Sequence, residues 1–186
     1  NNRYIDAAGQ SFRDFLKGRL PALPGEIPTI KDWEDHLTTI FPEVRMKQFL
    51  EMRGADAGAW TGLCSLPAFW VGLLYNDDCL DAAWDLVKGW STEDRERIRA
   101  DAPRFGLNTT TPAGTLQNLA GKVLDISERG LRQRAQINDS GEDETRFLCD
   151  LREIAESGKT PAELKLDRFH RNWKGDIRPL FSEFSY

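Results

Sequence analysis

The segment from Arg45 to Arg53 constrains the fold of this 186-residue chain most, because it alone alternates like a β-strand. Its two sets of alternating positions are Met46, Gln48, Leu50 and Met52, and Arg45, Lys47, Phe49, Glu51 and Arg53. This pattern predicts a strand with one buried apolar face and one charged face. Since the backbone of a strand needs neighbours for its hydrogen bonds, partners from outside this chain are expected if the remainder is helical.

Most of the remaining sequence repeats apolar residues at helical spacing. Helices are predicted within 11–18, 31–41, 63–75, 77–90, 91–101, 112–135, 147–158 and 160–173. Ser91 with Asp94 and Thr160 with Glu163 form capping-box patterns at two of the helix starts. The predicted fold class is therefore α+β, mostly helical in this chain.

Composition excludes several classes of protein. A net charge of −5 is inconsistent with a broad basic surface for nucleic acid. The longest apolar run, Leu66 to Tyr75, is too short for a membrane span, which takes ~20 residues. Three widely spaced cysteines without a C-x-x-C pattern suggest neither a disulfide framework nor a zinc site, and they favour a reducing compartment. The opening "NNRYIDAAGQSF" has neither an initiator methionine nor a signal sequence, which predicts a fragment.

The charged face of the predicted strand is the best candidate for chemistry. Glu51 and Arg53 project from the same face about 6 to 7 Å apart, and Arg45 lies further along it. A carboxylate oxygen suits a divalent metal and a guanidinium suits phosphate oxygens. The alternative is an ordinary ion pair, and the pattern alone favours that alternative.

Other chemically capable residues form weaker patterns. His36 and His170 share no spacing that unites them in a metal site, and Cys64 is flanked by apolar residues as a core cysteine would be. The basic cluster "RGLRQRA" is typical of a solvated helix face, and the sequence has no phosphate-binding glycine loop or serine-nucleophile motif.

Long motifs in the chain resemble a known family. The run "FRDFLKGRLPALPGEIPTIKDWEDHLTTIFPEVRMKQFLEMRGADAGAW", then "LCSLPAFWVGLLY", "GKTPAELKL" and "FSEFSY", resembles the C-terminal part of plant and proteobacterial glutamate–cysteine ligases. The resemblance implies the first step of glutathione synthesis, in which ATP with Mg²⁺ phosphorylates the γ-carboxylate of L-glutamate and the amino group of L-cysteine attacks the acyl phosphate. It also implies a fold like that of glutamine synthetase, whose antiparallel sheet forms the site.

The same resemblance implies roles for four residues. Glu51 corresponds to a metal-binding glutamate at the Mg²⁺–ATP site, and Arg53 corresponds to an arginine that faces the nucleotide phosphates. Arg45 corresponds to another arginine directed toward the site, which gives it, like Arg53, a catalytic role. Trp60 lies where the family has a tryptophan near the amino-acid pocket, which implies substrate binding.

The sequence departs from the family pattern at several positions. Ala7 and Ala22 stand where plant members have the two cysteines of a regulatory disulfide, so this switch is not expected here. Cys64 matches another plant cysteine, whose partner would lie in the N-terminal half. Thr61 and Gly62 replace two arginines of the family, which removes two positive charges beside a site for anionic substrates.

The resemblance also implies an incomplete site, because the family's N-terminal half supplies most strands and the other metal-binding carboxylates. Residues 1–60 are expected to contribute to the active-site sheet and 61–186 to form a C-terminal helical segment, together one structural unit of a larger catalytic domain. The expected partners are that N-terminal half and, as a further option, a second copy in a homodimer. The compartment would be bacterial cytoplasm or a eukaryotic organelle. Two alternatives stay open: a non-catalytic interaction module of the same fold, or a carboxylate–amine ligase for another amino acid.

Overall fold

The computed structural model describes residues 4–56 and 58–184, and the chain divides into two compact units, Asn1–Ala55 and Asp56–Tyr186. The described residues are mostly helical with two small antiparallel sheets, which confirms the α+β prediction at that level. Within these residues no helix combines the length and the apolar character needed to cross a membrane. The prediction that 1–60 and 61–186 belong to one structural unit stays a prediction.

Two short helices open the first unit. Helix α1 (Phe12–Phe15) begins after Ser11, whose hydroxyl accepts a hydrogen bond from the backbone N–H of Arg13. Helix α2 (Ile30–Leu37) begins at a capping box in which the side chain of Thr29 and that of Asp32 bind each other's backbone N–H groups. Phe12 stacks on His36 of α2 with ring centroids 4.2 Å apart, so aromatic contact joins the helices.

The predicted extension of α2 to residue 41 is wrong, because the helix ends at Leu37. The hydroxyls of Thr38 and Thr39 donate hydrogen bonds back to carbonyl oxygens of the last turn, at 2.6 and 2.7 Å. Such local side-chain bonds compete with continuation of a helix.

The predicted single strand from Arg45 to Arg53 is also wrong, because the segment folds back on itself. Strand β1 (Val44–Met46) pairs antiparallel with β2 (Leu50–Met52), and Arg45 lies directly opposite Glu51. The backbone N–H of Lys47 donates to the carbonyl of Phe49 at 2.9 Å and closes the turn. The hairpin supplies each strand with one neighbour from within the chain.

The apolar face of this hairpin is uncovered in the described residues. Met46 is 81% exposed and Leu50 is 52% exposed, although the sequence pattern predicts that this face is buried. Leu20 is the one buried side chain among the described residues of the first unit. The described residues of the first unit therefore form no core that could cover the hairpin.

Helices dominate the second unit. They are α3 (Trp60–Leu74), α4 (Asp77–Val87), α5 (Thr92–Phe105), α6 (Leu116–Arg134), α7 (Cys149–Ser157), α8 (Pro161–Asp167) and α9 (Arg178–Glu183). Short 3₁₀ turns precede the second sheet and α7, and a π-helical turn follows α8. The second sheet is a small hairpin of β3 (Thr110–Thr111) and β4 (Gly114–Thr115), which the sequence patterns did not indicate. The predicted capping boxes at Ser91 and Thr160 are both present.

The core of the second unit forms where α3 crosses α6. A Cβ atom on Gly130 would lie 1.9 Å from the carbonyl oxygen of Gly72, so only hydrogen at both positions permits this approach. The fully buried hydroxyl of Ser127 donates to the carbonyl of Phe69 at 2.9 Å across the same contact. Buried apolar residues on both sides of the crossing complete two clusters: Ala68, Leu124, Leu131, Leu148 and Ala155, and Leu73, Cys79 and Ile126.

The periodicity of α4 predicts a buried stripe of Leu80, Ala83, Trp84 and Val87, and of these Ala83 packs against the core. The predicted stripe includes Leu80 and Trp84, yet these residues are 41% and 56% exposed. Cys79 is fully buried instead, and Leu86 packs against the same cluster. The sequence "DDCL" predicts an aspartate cap, but the helix begins after Asn76, whose side chain accepts from the N–H of Cys79.

Candidate functional site

The candidate site is the charged face of the β1–β2 hairpin, which we call the charged face and define as Arg45, Lys47, Phe49, Glu51 and Arg53. The pairing of Arg45 with Glu51 places side chains of the same parity on the same side of both strands. The N–H of Arg53 donates to the carbonyl of Glu43 at 2.8 Å, which continues the pairing beyond β2. The hairpin thus gathers residues that the sequence pattern had spread along one strand.

Three cations surround the carboxylate of Glu51. Arg45 Nε lies 2.6 Å from Glu51 Oε2, and Arg53 Nε lies 3.9 Å from the same oxygen. Lys47 Nζ lies 3.8 Å from the other oxygen, Oε1. Three cations against one carboxylate leave a formal charge of +2 on these four residues, and Glu43, opposite Arg53 at the end of the hairpin, lowers it to +1. The remaining positive charge favours a further anion.

These contacts keep Glu51 ionised. The hydrogen bond from Arg45 lowers the pKa of the Glu51 carboxyl below its ordinary range, and the charges of the three cations act in the same direction against partial desolvation. A carboxylate that stays charged at neutral pH is a competent oxygen ligand for a hard divalent cation.

The guanidinium of Arg53 has unused hydrogen-bonding capacity. It stacks over the ring of Phe41, with Cζ 5.4 Å from the ring centroid. Its Nη1 atom is shut off from solvent and has no hydrogen-bond partner in the described part of the chain. A buried donor without an acceptor is costly, so Nη1 is positioned for an acceptor that this structure does not supply.

The fourth predicted site residue, Trp60, belongs to the second unit. It is the first residue of α3 and its side chain is 72% exposed. Thr61 and Gly62 follow it, exposed, in the first helical turn. The glycine-rich segment "GADAGA" between Arg53 and Trp60, whose composition predicts a turn, includes Ala57, which lies outside the described residues. The structure therefore brings together Arg45, Glu51 and Arg53, while the role of Trp60 stays a prediction.

Sequence reasoning placed Lys47 on the charged face but gave it no role. The chain reversal was not predicted, and without it Lys47 and Glu51 would lie four residues apart along one face of a continuous strand, too far to interact. In the hairpin, Lys47 stands beside the carboxylate on the side opposite Arg45.

The described residues supply few ligands for a metal. They contain no group of three or more histidine, cysteine or acidic side chains arranged to hold an ion. Cys64, Cys79 and Cys149 are free thiols, and His36 stacks on Phe12. Glu51 thus fits Mg²⁺ as one oxygen ligand, and further ligands would have to come from elsewhere in the protein.

Comparison with known proteins identifies relatives across nearly the whole chain. Residues 5–183 match the model of a family described as glutamate–cysteine ligase family 2. The chain is 49% identical over 185 residues to the chloroplastic glutamate–cysteine ligase of Arabidopsis thaliana, covering 100% of this chain and 34% of that protein. It is 47% identical over 186 residues to chloroplastic glutamate–cysteine ligase A of Oryza sativa subsp. indica, covering 100% and 37%. The chain therefore spans about a third of the length of these relatives.

Proposed function

The chain belongs to glutamate–cysteine ligase family 2, and from this we propose that the protein containing it joins L-glutamate to L-cysteine in an ATP-dependent reaction. In the proposed chemistry, the γ-carboxylate of glutamate becomes an acyl phosphate and the amino group of cysteine displaces the phosphate. The relatives' printed names support the proposal, since they are glutamate–cysteine ligases. The proposed fold of the whole domain is that of glutamine synthetase.

We assign the nucleotide-facing part of the site to the charged face. One observation carries this assignment: Arg53 Nη1 is enclosed and lacks an acceptor within the described residues. Phosphate oxygens are acceptors that a guanidinium binds in a forked geometry. Arg53 would bind the phosphates, and Arg45 would hold Glu51 in place and offset charge on the transferred group.

Mg²⁺ would neutralise charge on the phosphates of ATP. Glu51 would hold it as one ligand, and the remaining ligands would lie in the other two thirds of the protein. Trp60 is proposed to contact the amino-acid substrate. The exposed apolar face of the hairpin, with Met46 and Leu50, is proposed to be covered by that same remaining part, which would add strands to β1 and β2.

The proposed compartment depends on the host. The relatives are named chloroplastic, which supports an organelle in a eukaryote, whereas the bacterial counterpart would be cytoplasmic. The assembly would contain the N-terminal part of the enzyme, and a homodimer is compatible with the proposal.

An assay of the full-length protein tests the function. With glutamate, cysteine, ATP and Mg²⁺ we expect ADP release coupled to formation of γ-glutamylcysteine, and a panel of other amino acids in place of cysteine should give much slower turnover. Preference for another amine would identify a related carboxylate–amine ligase. Absence of turnover with every substrate would favour a non-catalytic module and would refute the proposal.

An arginine pair tests the site separately. Arg53→Met should lower kcat/KM by about 10²-fold or more, because one charge-assisted contact to the transferred group is lost. The matched control is Arg13→Met in the exposed first helix, which should retain full activity. Equal activity of the two variants would remove Arg53 from the site.

A further inference from the structure

Lys47 is the one cation of the charged face that has no role in the proposed function. Its Nζ atom is 3.8 Å from Glu51 Oε1, beyond hydrogen-bonding distance, whereas Arg45 Nε is within it at 2.6 Å. Nε of Arg45 therefore donates to the carboxylate, whereas the ammonium group of Lys47 makes no hydrogen bond with it.

Lys47 contacts an aromatic neighbour on the charged face, yet its side chain remains partly exposed to solvent. Nζ lies 5.7 Å from the ring centroid of Phe49, and the side chain is 43% exposed. The turn that carries it is closed by the bond from its own N–H to the carbonyl of Phe49. A cation placed by an aromatic ring, yet open to solvent, can bind an incoming anion without a large rearrangement.

The position of Lys47 completes an arc of positive charge. The cationic nitrogens of Arg45, Lys47 and Arg53 approach the carboxylate of Glu51 from both of its oxygens, at 2.6, 3.8 and 3.9 Å. A single phosphate would engage one or two of these cations, whereas an extended chain of phosphates is long enough to engage more of them.

We propose that Lys47 binds the polyphosphate chain of the nucleotide and thereby contributes to selection of ATP, an inference that rests on the proposed ligase function. Lys47 approaches Oε1 of Glu51, whereas Arg53 approaches Oε2. Lys47 would therefore contact a different part of the polyphosphate chain from the phosphate that Arg53 holds. Its contribution is then to binding, equally in the ground state and the transition state, rather than to the chemical step.

The test uses the full-length protein with three variants, Lys47→Met, Lys47→Arg and Lys17→Met. Methionine removes the charge with little change in length, and Lys17 is an exposed lysine of the same unit that serves as the control. We expect Lys47→Met to raise the Kd of ATP about tenfold, as for loss of one hydrogen bond to a charged group. KM for ATP should rise with it while kcat changes less than about twofold.

Tripolyphosphate in EDTA is the second probe, because it reports on the cations without a metal or an adenine. Lys47→Met should weaken the binding of tripolyphosphate and make the Kd depend less steeply on salt concentration, because the variant has one positive charge fewer for salt to screen. Lys47→Arg should bind both probes within about threefold of the parent, and Lys17→Met should match it. If Lys47→Met lowers the melting temperature, Lys47→Gln replaces it in the same series.

The outcomes separate this inference from the proposed function. Unchanged Kd values for Lys47→Met in a protein that ligates glutamate to cysteine would overturn the role of Lys47 and leave the function standing. Tripolyphosphate binding that depends on Lys47, in a protein without ligase activity, would support the anion site and refute the function.

Discussion

In the first unit, Asn1–Ala55, Leu20 is the one described side chain that is buried, whereas the second unit, Asp56–Tyr186, contains two clusters of buried hydrophobic residues. The second unit satisfies its apolar surfaces largely from within, because α3 and α6 meet without intervening side chains at Gly72 and Gly130. The first unit leaves Met46 and Leu50 exposed. Stability therefore resides mainly in the helical unit.

The polar groups differ between the units in the same way. In the helical unit, the buried hydroxyl of Ser127 is paired with the carbonyl of Phe69. In the first unit, Arg53 Nη1 is enclosed and has no hydrogen-bond partner among the described residues. A buried polar group with a hydrogen-bond partner helps to specify the fold, whereas a buried polar group without one indicates a ligand or a missing neighbour. The described residues thus show a satisfied core in the second unit and an unsatisfied polar group in the first.

Glu51→Gln tests the hairpin side of this comparison with the largest expected effect. In the full-length protein it should lower Mg²⁺-dependent turnover by about 10²- to 10³-fold, because the amide removes the charge proposed to hold the metal. Thermal unfolding should change little, since Glu51 is part-exposed and supports no core. Steady-state kinetics across a Mg²⁺ titration provides the measurement.

The control for this substitution is Glu34→Gln on the exposed side of α2, which should leave turnover unchanged. Turnover of Glu51→Gln with the parent's Mg²⁺ dependence would exclude Glu51 from the metal site. A large loss of thermal stability would instead give Glu51 a structural role and break the division between the units.

Gly130→Ala tests the helical side. The added Cβ would meet the carbonyl of Gly72 at 1.9 Å, so α3 and α6 must move apart. We expect a loss of about 3 kcal/mol in the free energy of unfolding, and with it a lower melting temperature. Differential scanning calorimetry of the full-length protein measures the shift.

Gly121→Ala on the same helix is the matched control, because a Cβ there would have nothing within 4 Å. It should stabilise the protein by about 0.5 to 1 kcal/mol through higher helix propensity. Similar melting temperatures for the two variants would show that the helices do not approach as closely as the structure has them.

Ser127→Ala should have a smaller effect on the same crossing. It removes the hydroxyl that donates to Phe69 and leaves a side chain that still fits, so the expected loss is about 1 kcal/mol. Ser182→Ala, at an exposed position in α9, should change stability by less than about 0.5 kcal/mol. Chemical denaturation of both variants decides the comparison; equal midpoints would mean that the buried hydrogen bond contributes nothing.

Helices of the second unit were predictable because their signals are local. The capping residues at Ser91 and Thr160 and the apolar repeat of α6 act within a few residues of chain. The buried face of α4 was not predictable in the same way. Contact with α6 decides which side of α4 faces the core, and the large apolar residues Leu80 and Trp84 remain exposed. The close approach at Gly72 likewise depends on a residue far along the sequence.

The sequence predicted which side chains share the charged face of the hairpin but not their geometry, and their roles stay predictions. The turn at 47–49 contains none of the glycine, asparagine or proline signals of a hairpin, so the chain reversal was missed. Membership survived because the register pairs odd-numbered residues with odd-numbered residues, as in Arg45 with Glu51, so both strands keep the same charged face. The direct bond between these two side chains follows only from the hairpin.

Arg45→Met tests that bond with the smallest expected effect. Because the hydrogen bond from Arg45 is the largest cause of the lowered Glu51 pKa, the substitution should raise this pKa toward its ordinary range. A folded-state pKa below the unfolded value means that the ion contacts of Glu51 persist at neutral pH and are lost as pH falls through the folded pKa. In Arg45→Met the loss should therefore begin at higher pH. Carbon NMR titration of selectively labelled glutamate measures the change, with Lys17→Met as control; an unchanged Glu51 pKa would show that Arg45 does not hold the carboxylate in solution, and the charged face would lose its organising contact.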